Sequence, residues 1–123
     1  MKYRVVKRIN PLNTDEQKLY AAPQYMEELT VMDLAKDISD ACTLNVTDVE
    51  AALTSLVRKL PLYLKNGFKI QLGNFGLVKL SFSSKGFEKA EDIDASSITS
   101  KRILFTPSTE LKSEIESVSF SRM

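Results

Sequence analysis

Residues 67–82, GFKIQLGNFGLVKLSF, spell two alternating strands around a tight turn, Gly73-Asn74-Phe75-Gly76. Phe68, Ile70 and Leu72 fall on one face of the first strand, and Val78, Leu80 and Phe82 on one face of the second. Period-two apolar spacing interrupted by a glycine pair is the pattern of a half-buried β-hairpin. A strongly periodic helical region precedes it and a long polar segment follows. That order restricts the folds open to the chain.

A length of 123 residues suits a single domain, 1–123, with one core. A hydrophobic fraction of 43% argues for a folded chain. No apolar run approaches the length needed to cross a bilayer. The opening MKYRVVKRIN is charged with no apolar segment behind it, so no signal peptide is expected. Cys42 is the single cysteine and has no internal disulfide partner. A cytoplasmic protein is the simplest expectation.

The missing residue types limit chemistry. There is no histidine, which removes histidine bases and ligands, and one cysteine alone does not make the usual zinc site. Neither a GxxxxGK[ST] nor a GxGxxG pattern is present, and GNFG is too short to count as a phosphate loop. Asp92 and Asp94 suit a hard cation, but a solvated acidic loop is the preferred reading. The expectation is a non-enzyme without cofactor, metal or small-molecule substrate.

The net charge of +1 hides a sorted distribution. Residues 1–9 carry Lys2, Arg4, Lys7 and Arg8 and no acid. The hairpin carries Lys69 and Lys79 and no acid. Residues 83–100 carry Lys85 and Lys89 against Glu88, Glu91, Asp92 and Asp94. Basic strands attract phosphates, and they also serve as ordinary solvated faces; charge alone does not separate the two.

Thr30 suits the cap of a first helix, supported electrostatically by Asp33 at the third position. Leu34, Ala35, Ile38, Ala41 and Cys42 follow at helical spacing, which predicts a small, buried role for Cys42. Thr47 with Glu50 predicts a capping box for a second helix, whose stripe is Val49, Leu53, Leu56, Val57, Leu60 and Leu64. Pro61 interrupts the stripe without ending it, so one kinked helix is expected. Gly67 suits the left-handed position after the helix. A DNA-reading helix-turn-helix is disfavoured because Asp48 and Glu50 sit at the leading end of the second helix.

Lys101 to Phe105 predict a third core strand, with Ile103 and Phe105 on one face. Thr106-Pro107-Ser108 opens a last helix, with Pro107 in its first turn and Leu111 and Ile115 as its stripe. Val118 to Arg122 alternates like an edge strand. Tyr3-Arg4-Val5 and Lys18 to Ala22 suggest an N-terminal strand pair. The expected order is β-β-α-α-β-β-arm-β-α-β.

With these elements placed, residues 30–117 resemble the HU/IHF histone-like DNA-binding proteins. The two capped helices, NGFKIQLGNFG, the strand through Val78 and Leu80, and ILFTPSTELK carry the resemblance. LGNFG with FTP about thirty residues later is its most specific part. Residues 1–29 and 118–123 lie outside the minimal pattern and resemble the extensions of a longer HU-like variant. The resemblance implies an α+β fold: a helical body, a three-stranded sheet and an extended β-arm over 83–100, in an intertwined homodimer with extra terminal strands. It implies a sequence-tolerant architectural protein of the bacterial nucleoid that binds double-stranded DNA, with arms entering the minor groove. Two short helices and a small sheet bury limited surface alone, which also favours dimerisation. Leu77 beside Val78 gives the hairpin apolar groups on both sides; a second chain or the extra terminal strands are alternative covers for them.

The arm departs from the family pattern. SSKGFEKAEDID has neither the family's arginines nor its proline wedge, and Ser81 and Ser83 replace basic residues. Phe87 and Ile93 suit either a wedge or packing onto the protein itself. The expected DNA contacts are Lys69, Lys79, Lys85, Lys89, Lys101 and Arg102. The alternative reading is an HU-like dimer used for protein interaction or structure.

Overall fold

The computed structural model describes residues 1–123. The chain divides into two compact units, Met1–Leu29 with Glu114–Met123, and Thr30–Ser113. The observed element order is the expected one, with single 3-10 turns in place of an extended arm.

In the terminal unit, β1 (Lys2–Asn10) and β2 (Asn13–Gln24) form an antiparallel ribbon. β2 is longer than the returning strand expected at Lys18 to Ala22. Asn10 Oδ1 accepts from the Leu12 amide at 2.9 Å, so a side chain closes the turn locally. The tail contributes only two residues of strand, β6 (Ser121–Arg122), parallel to β1 at Lys2 and Tyr3. The terminal ammonium group donates to the Ser119 carbonyl at 2.8 Å.

The other unit begins with α1 (Val31–Ala41). Its capping box is fuller than expected. The Asp33 amide donates to Thr30 Oγ1 at 3.3 Å, and the Thr30 amide and hydroxyl donate to the Asp33 carboxylate at 2.9 and 3.0 Å. These bonds hold the Asp33 carboxyl below its ordinary range, the Thr30 amide contributing most. α1 ends at Ala41. Cys42 therefore lies in extended backbone as the C-cap and is exposed, which corrects the buried role read from the stripe.

α2 (Val46–Lys65) has its N-cap two residues earlier than expected. Asn45, not Thr47, is the N-cap, and its Oδ1 accepts from the Asp48 amide at 2.9 Å. The helix runs as one element through Pro61. It ends in a Schellman motif. The Gly67 amide donates to the Leu64 carbonyl at 3.1 Å and the Phe68 amide to the Tyr63 carbonyl at 3.1 Å. Gly67 has φ +87°, a conformation glycine adopts without a Cβ penalty. Phe68 meets Tyr63 edge-on at 6.2 Å, supplying the apolar contact of the motif. That use takes Phe68 out of the hairpin strand to which its alternation had assigned it.

The hairpin strands are β3 (Ile70–Leu72) and β4 (Gly76–Ser84), and β5 (Ile98–Pro107) adds to the far side of β4. Gly76 faces Pro107 across the ladder. A Cβ on Gly76 would come within 2.5 Å of both the Phe105 ring and the Thr106 carbonyl. Phe75 packs on Phe105 with ring centres 5.1 Å apart. Pro107 is the last residue of β5, not part of the helix that follows, α3 (Thr109–Glu116). Ser108 takes the capping role instead. Its amide donates to the Phe75 carbonyl at 3.0 Å, its hydroxyl donates to the Asn74 carbonyl, and its Oγ accepts from the Leu111 amide at 3.0 Å.

Three outcomes check this account in urea unfolding. Asn45→Ala costs about 1 kcal/mol, whereas Thr47→Ala costs much less. Gly76→Ala lowers the midpoint because the added methyl would come within 2.5 Å of the Thr106 carbonyl oxygen, a backbone atom held in the β4–β5 ladder. The Asp33 contribution is fully present above the carboxyl's ordinary pKa of 3.8 and is lost as pH falls through its lowered folded value; Asp33→Asn removes that acid-dependent part.

Candidate nucleic-acid interface

Alternation along β4 sorts its side chains between two faces, and the register extends the sorting to its neighbours. Ile70, Val78 and Phe105 are aligned across the sheet, and Leu80 pairs with Ile103. This face is apolar. The opposite face carries Gln71, Leu77 and Thr106 in one row, then Lys79 beside Leu104, then Ser81 beside Arg102. Lys79 and Arg102 thus share a face that bears no carboxylate within the paired strands.

Arg102 is held in place. One guanidinium nitrogen donates to Ser83 Oγ at 2.9 Å and to the Ser100 carbonyl at 3.4 Å. The ladder is irregular here. Ser81 pairs with Arg102, but Ser83 pairs with Thr99, so β5 carries an extra residue opposite Phe82. Ser100 takes φ +46° within this bulge. Lys101 lies in the same irregular stretch and is exposed. Both residues lie inside β5, which starts earlier, at Ile98, than the sequence suggested. Lys79 is half-buried. Lys69 immediately precedes β3, beyond the end of the ladder, and is exposed.

The segment expected as an extended β-arm is different. Pairing of β4 with β5 ends at Ser84 and Ile98, and the residues between them fold back. The Lys85 amide donates to the Ser97 carbonyl at 2.9 Å, closing the base of the loop. Single 3-10 turns occupy Ala90–Asp92 and Ala95–Ser97. Asp94 caps the second by accepting from the Ser96 hydroxyl and amide, and the Asp94 amide donates to Ser97 Oγ at 3.1 Å. Its carboxyl sits below the ordinary range, chiefly through the Ser96 hydroxyl. Asp94 therefore serves as a cap. No group of three or more potential metal-ligating side chains is brought together. Lys85 and Lys89 are exposed on the loop, Lys89 as the residue preceding its first turn. Phe87 and Ile93 are 45% and 51% exposed, each about half covered by the protein.

The structure unites two of the six expected cations, Lys79 and Arg102, on one regular face. Lys101 is beside them in the bulge, and Lys69, Lys85 and Lys89 lie beyond the ladder. Two supports were missed in the sequence. Ser83, noted only as a lost basic residue, is the acceptor that orients Arg102. Ser100 supplies the bulge, for which a serine gives no local signal.

The family described as "HU domain fused to wHTH, Ig, or Glycine-rich motif" (HU-HIG) matches residues 1–122. No curated protein matches. Among solved structures, 23 chains are similar. One is a crystal structure from Bacteroides vulgatus ATCC 8482 described as a "Putative bacterial DNA binding protein". It shares 11% identity with a TM-score of 0.62, over 99% of this chain and 47% of the other. The chain thus spans about half the length of that protein, and at this identity the likeness is one of fold. The family match extends through both terminal strands as well as the helices and hairpin, and the chain belongs to the HU-HIG family.

Proposed function

We propose that this chain is a sequence-tolerant architectural DNA-binding protein of the bacterial nucleoid, acting as a homodimer on double-stranded DNA without catalysis. The observation that carries the reading is the placement of Lys79 and Arg102 on one acid-free sheet face in a member of an HU family. Lys101, Lys69, Lys85 and Lys89 extend the cationic set, with residues 30–117 as the DNA-binding core and 1–29 and 118–123 as extensions of one HU-like domain. The name of the Bacteroides vulgatus protein points the same way. Lysine and arginine contacts of this kind neutralise phosphates and carry no base information.

Dimerisation is supported by what the single chain leaves uncovered. Only Ala35, Val49 and Leu64 are buried apolar side chains. The apolar sheet face stays open, with Leu80, Phe105 and Ile103 at 40%, 43% and 66% exposure. A cavity of about 490 Å³ between α2 and the sheet is lined by Val57, Leu60, Leu64, Val78, Leu80 and Ile103. Filling it from a second copy would bury these groups at roughly 25 cal/mol per Å² of apolar surface.

A second reading, an HU-like dimer used for protein interaction or structure, is favoured by one observation. The loop that replaces the arm is acidic and folded back on itself.

Sedimentation equilibrium of the chain is expected to return twice its 13.8 kDa mass. A mass of 13.8 kDa at micromolar concentration would rule out the dimer. Duplex binding is expected to weaken steeply with salt. Replacing Lys79, Lys101 and Arg102 by alanine weakens all duplex sequences alike and flattens the salt slope by about 0.9 per lost phosphate contact. A loss that depends on base sequence would contradict the assignment, and absence of duplex binding at low salt would favour the second reading.

A further inference from the structure

The β1–β2 ribbon is two-sided. The register pairs Lys2 with Gln24, Arg4 with Ala22, Val6 with Tyr20 and Arg8 with Lys18, and paired residues share a face. Lys2, Arg4, Arg8 and Lys18 therefore lie together. The alternate pairs, Tyr3 with Pro23, Val5 with Ala21, Lys7 with Leu19 and Ile9 with Gln17, form the other, mainly apolar face.

Three of the four cations are braced within the ribbon. Arg4 donates to Gln24 Oε1 at 3.1 Å. The Arg8 guanidinium lies 5.3 Å from the centre of the Tyr20 ring, where the ring's quadrupole attracts it. Lys18 is 3.8 Å from Glu16, which in turn accepts from Asn10 Nδ2 at 2.9 Å. Glu16 is the one acid near this face, at the distal end. All four cations remain exposed.

We propose that this face is a second contact surface for duplex DNA, in addition to the sheet face of Lys79 and Arg102. The inference rests on the DNA-binding reading above. Alternate positions of a strand lie about 7 Å apart, so Lys2 and Arg4 are about 7 Å apart and Arg8, beyond Val6, about 14 Å further on, which presents a row of positive charge to a polyanion. The ribbon's strands are about 5 Å apart, and the major groove of B-DNA, about 12 Å wide, admits a two-stranded ribbon. The deep, narrow major groove of an RNA duplex does not. Gln24 and Asn10, the amides suited to reading bases, are already bonded to Arg4 and Glu16. The contacts proposed are to phosphates, which carry no base information.

The test is a salt titration of full-chain binding to a mixed-sequence duplex, read by fluorescence anisotropy. Arg4→Ser/Arg8→Ser/Lys18→Ser is expected to bind at least roughly tenfold more weakly at low salt, with a slope flatter by about 3 per chain. Arg4→Lys/Arg8→Lys keeps the wild-type slope, because a phosphate contact needs only the charge. Lys18→Glu alone, at a side chain 66% exposed, flattens the slope by about 0.9 and serves if the triple variant does not fold. Wild-type slope and affinity in the serine or Lys18→Glu variants overturn the ribbon surface and leave the sheet-face reading standing. Equal loss in the lysine variant overturns it too, since charge would not be what matters. Equal competition by duplex RNA for the ribbon-dependent part overturns the groove fit. A wild-type chain that binds no duplex removes both proposals.

Discussion

The β4–β5 ladder is the constraint on which the rest of the Thr30–Ser113 unit depends. β4 alternates between apolar and polar side chains, so its register with β5 decides which residues meet on each face. A slip of one residue would carry Ile103 and Phe105 to the side of Lys79. Gly76 opposes such a slip, because its missing side chain is what allows the Phe105 ring and the Thr106 carbonyl to approach. Ser108 fastens the same end by joining the hairpin turn to the start of α3. At the other end, the bulge at Ser100 and the Arg102–Ser83 bond mark where regular pairing stops.

Features encoded within a few residues were the ones most legible in the sequence. Thr30 with Asp33, the Gly67 terminator and the alternation of Val78, Leu80 and Phe82 each depend on near neighbours. The errors arose where two local signals competed. Asn45 and Thr47 both suit an N-cap, and Glu50 tipped the expectation toward the later one; the helix starts where asparagine's amide oxygen meets the Asp48 amide. Cys42 continued the spacing of the first stripe, but α1 stops one residue short of it. Phe68 fits both a strand and a Schellman contact, and Tyr63 decided between them. The grouping of Lys79 with Arg102 was not legible, because it depends on a register between strands far apart in sequence and on a bulge at a serine.

The loop between β4 and β5 shows how a few polar side chains redirect a segment. Asp94 and Ser97 satisfy each other's amides and hold a single 3-10 turn. Ser97 is the one buried polar residue of the chain, and its carbonyl also receives the Lys85 amide. These bonds draw the chain into turns where continued pairing would have made a ribbon. The cations left on the loop, Lys85 and Lys89, stand among four acids. The sheet and the terminal strands therefore carry more of the unopposed positive charge than the loop does.

β1 has a free margin. β6 accompanies it only at Lys2 and Tyr3, and no strand pairs with that side from Arg4 onward. Unpaired backbone donors and acceptors there form a template on which another strand could assemble. Arg4, Lys7 and Arg8 line the margin on both faces, so the same edge of another molecule is repelled before amide groups can join. The charge pattern thus disfavours self-pairing of this margin between two copies.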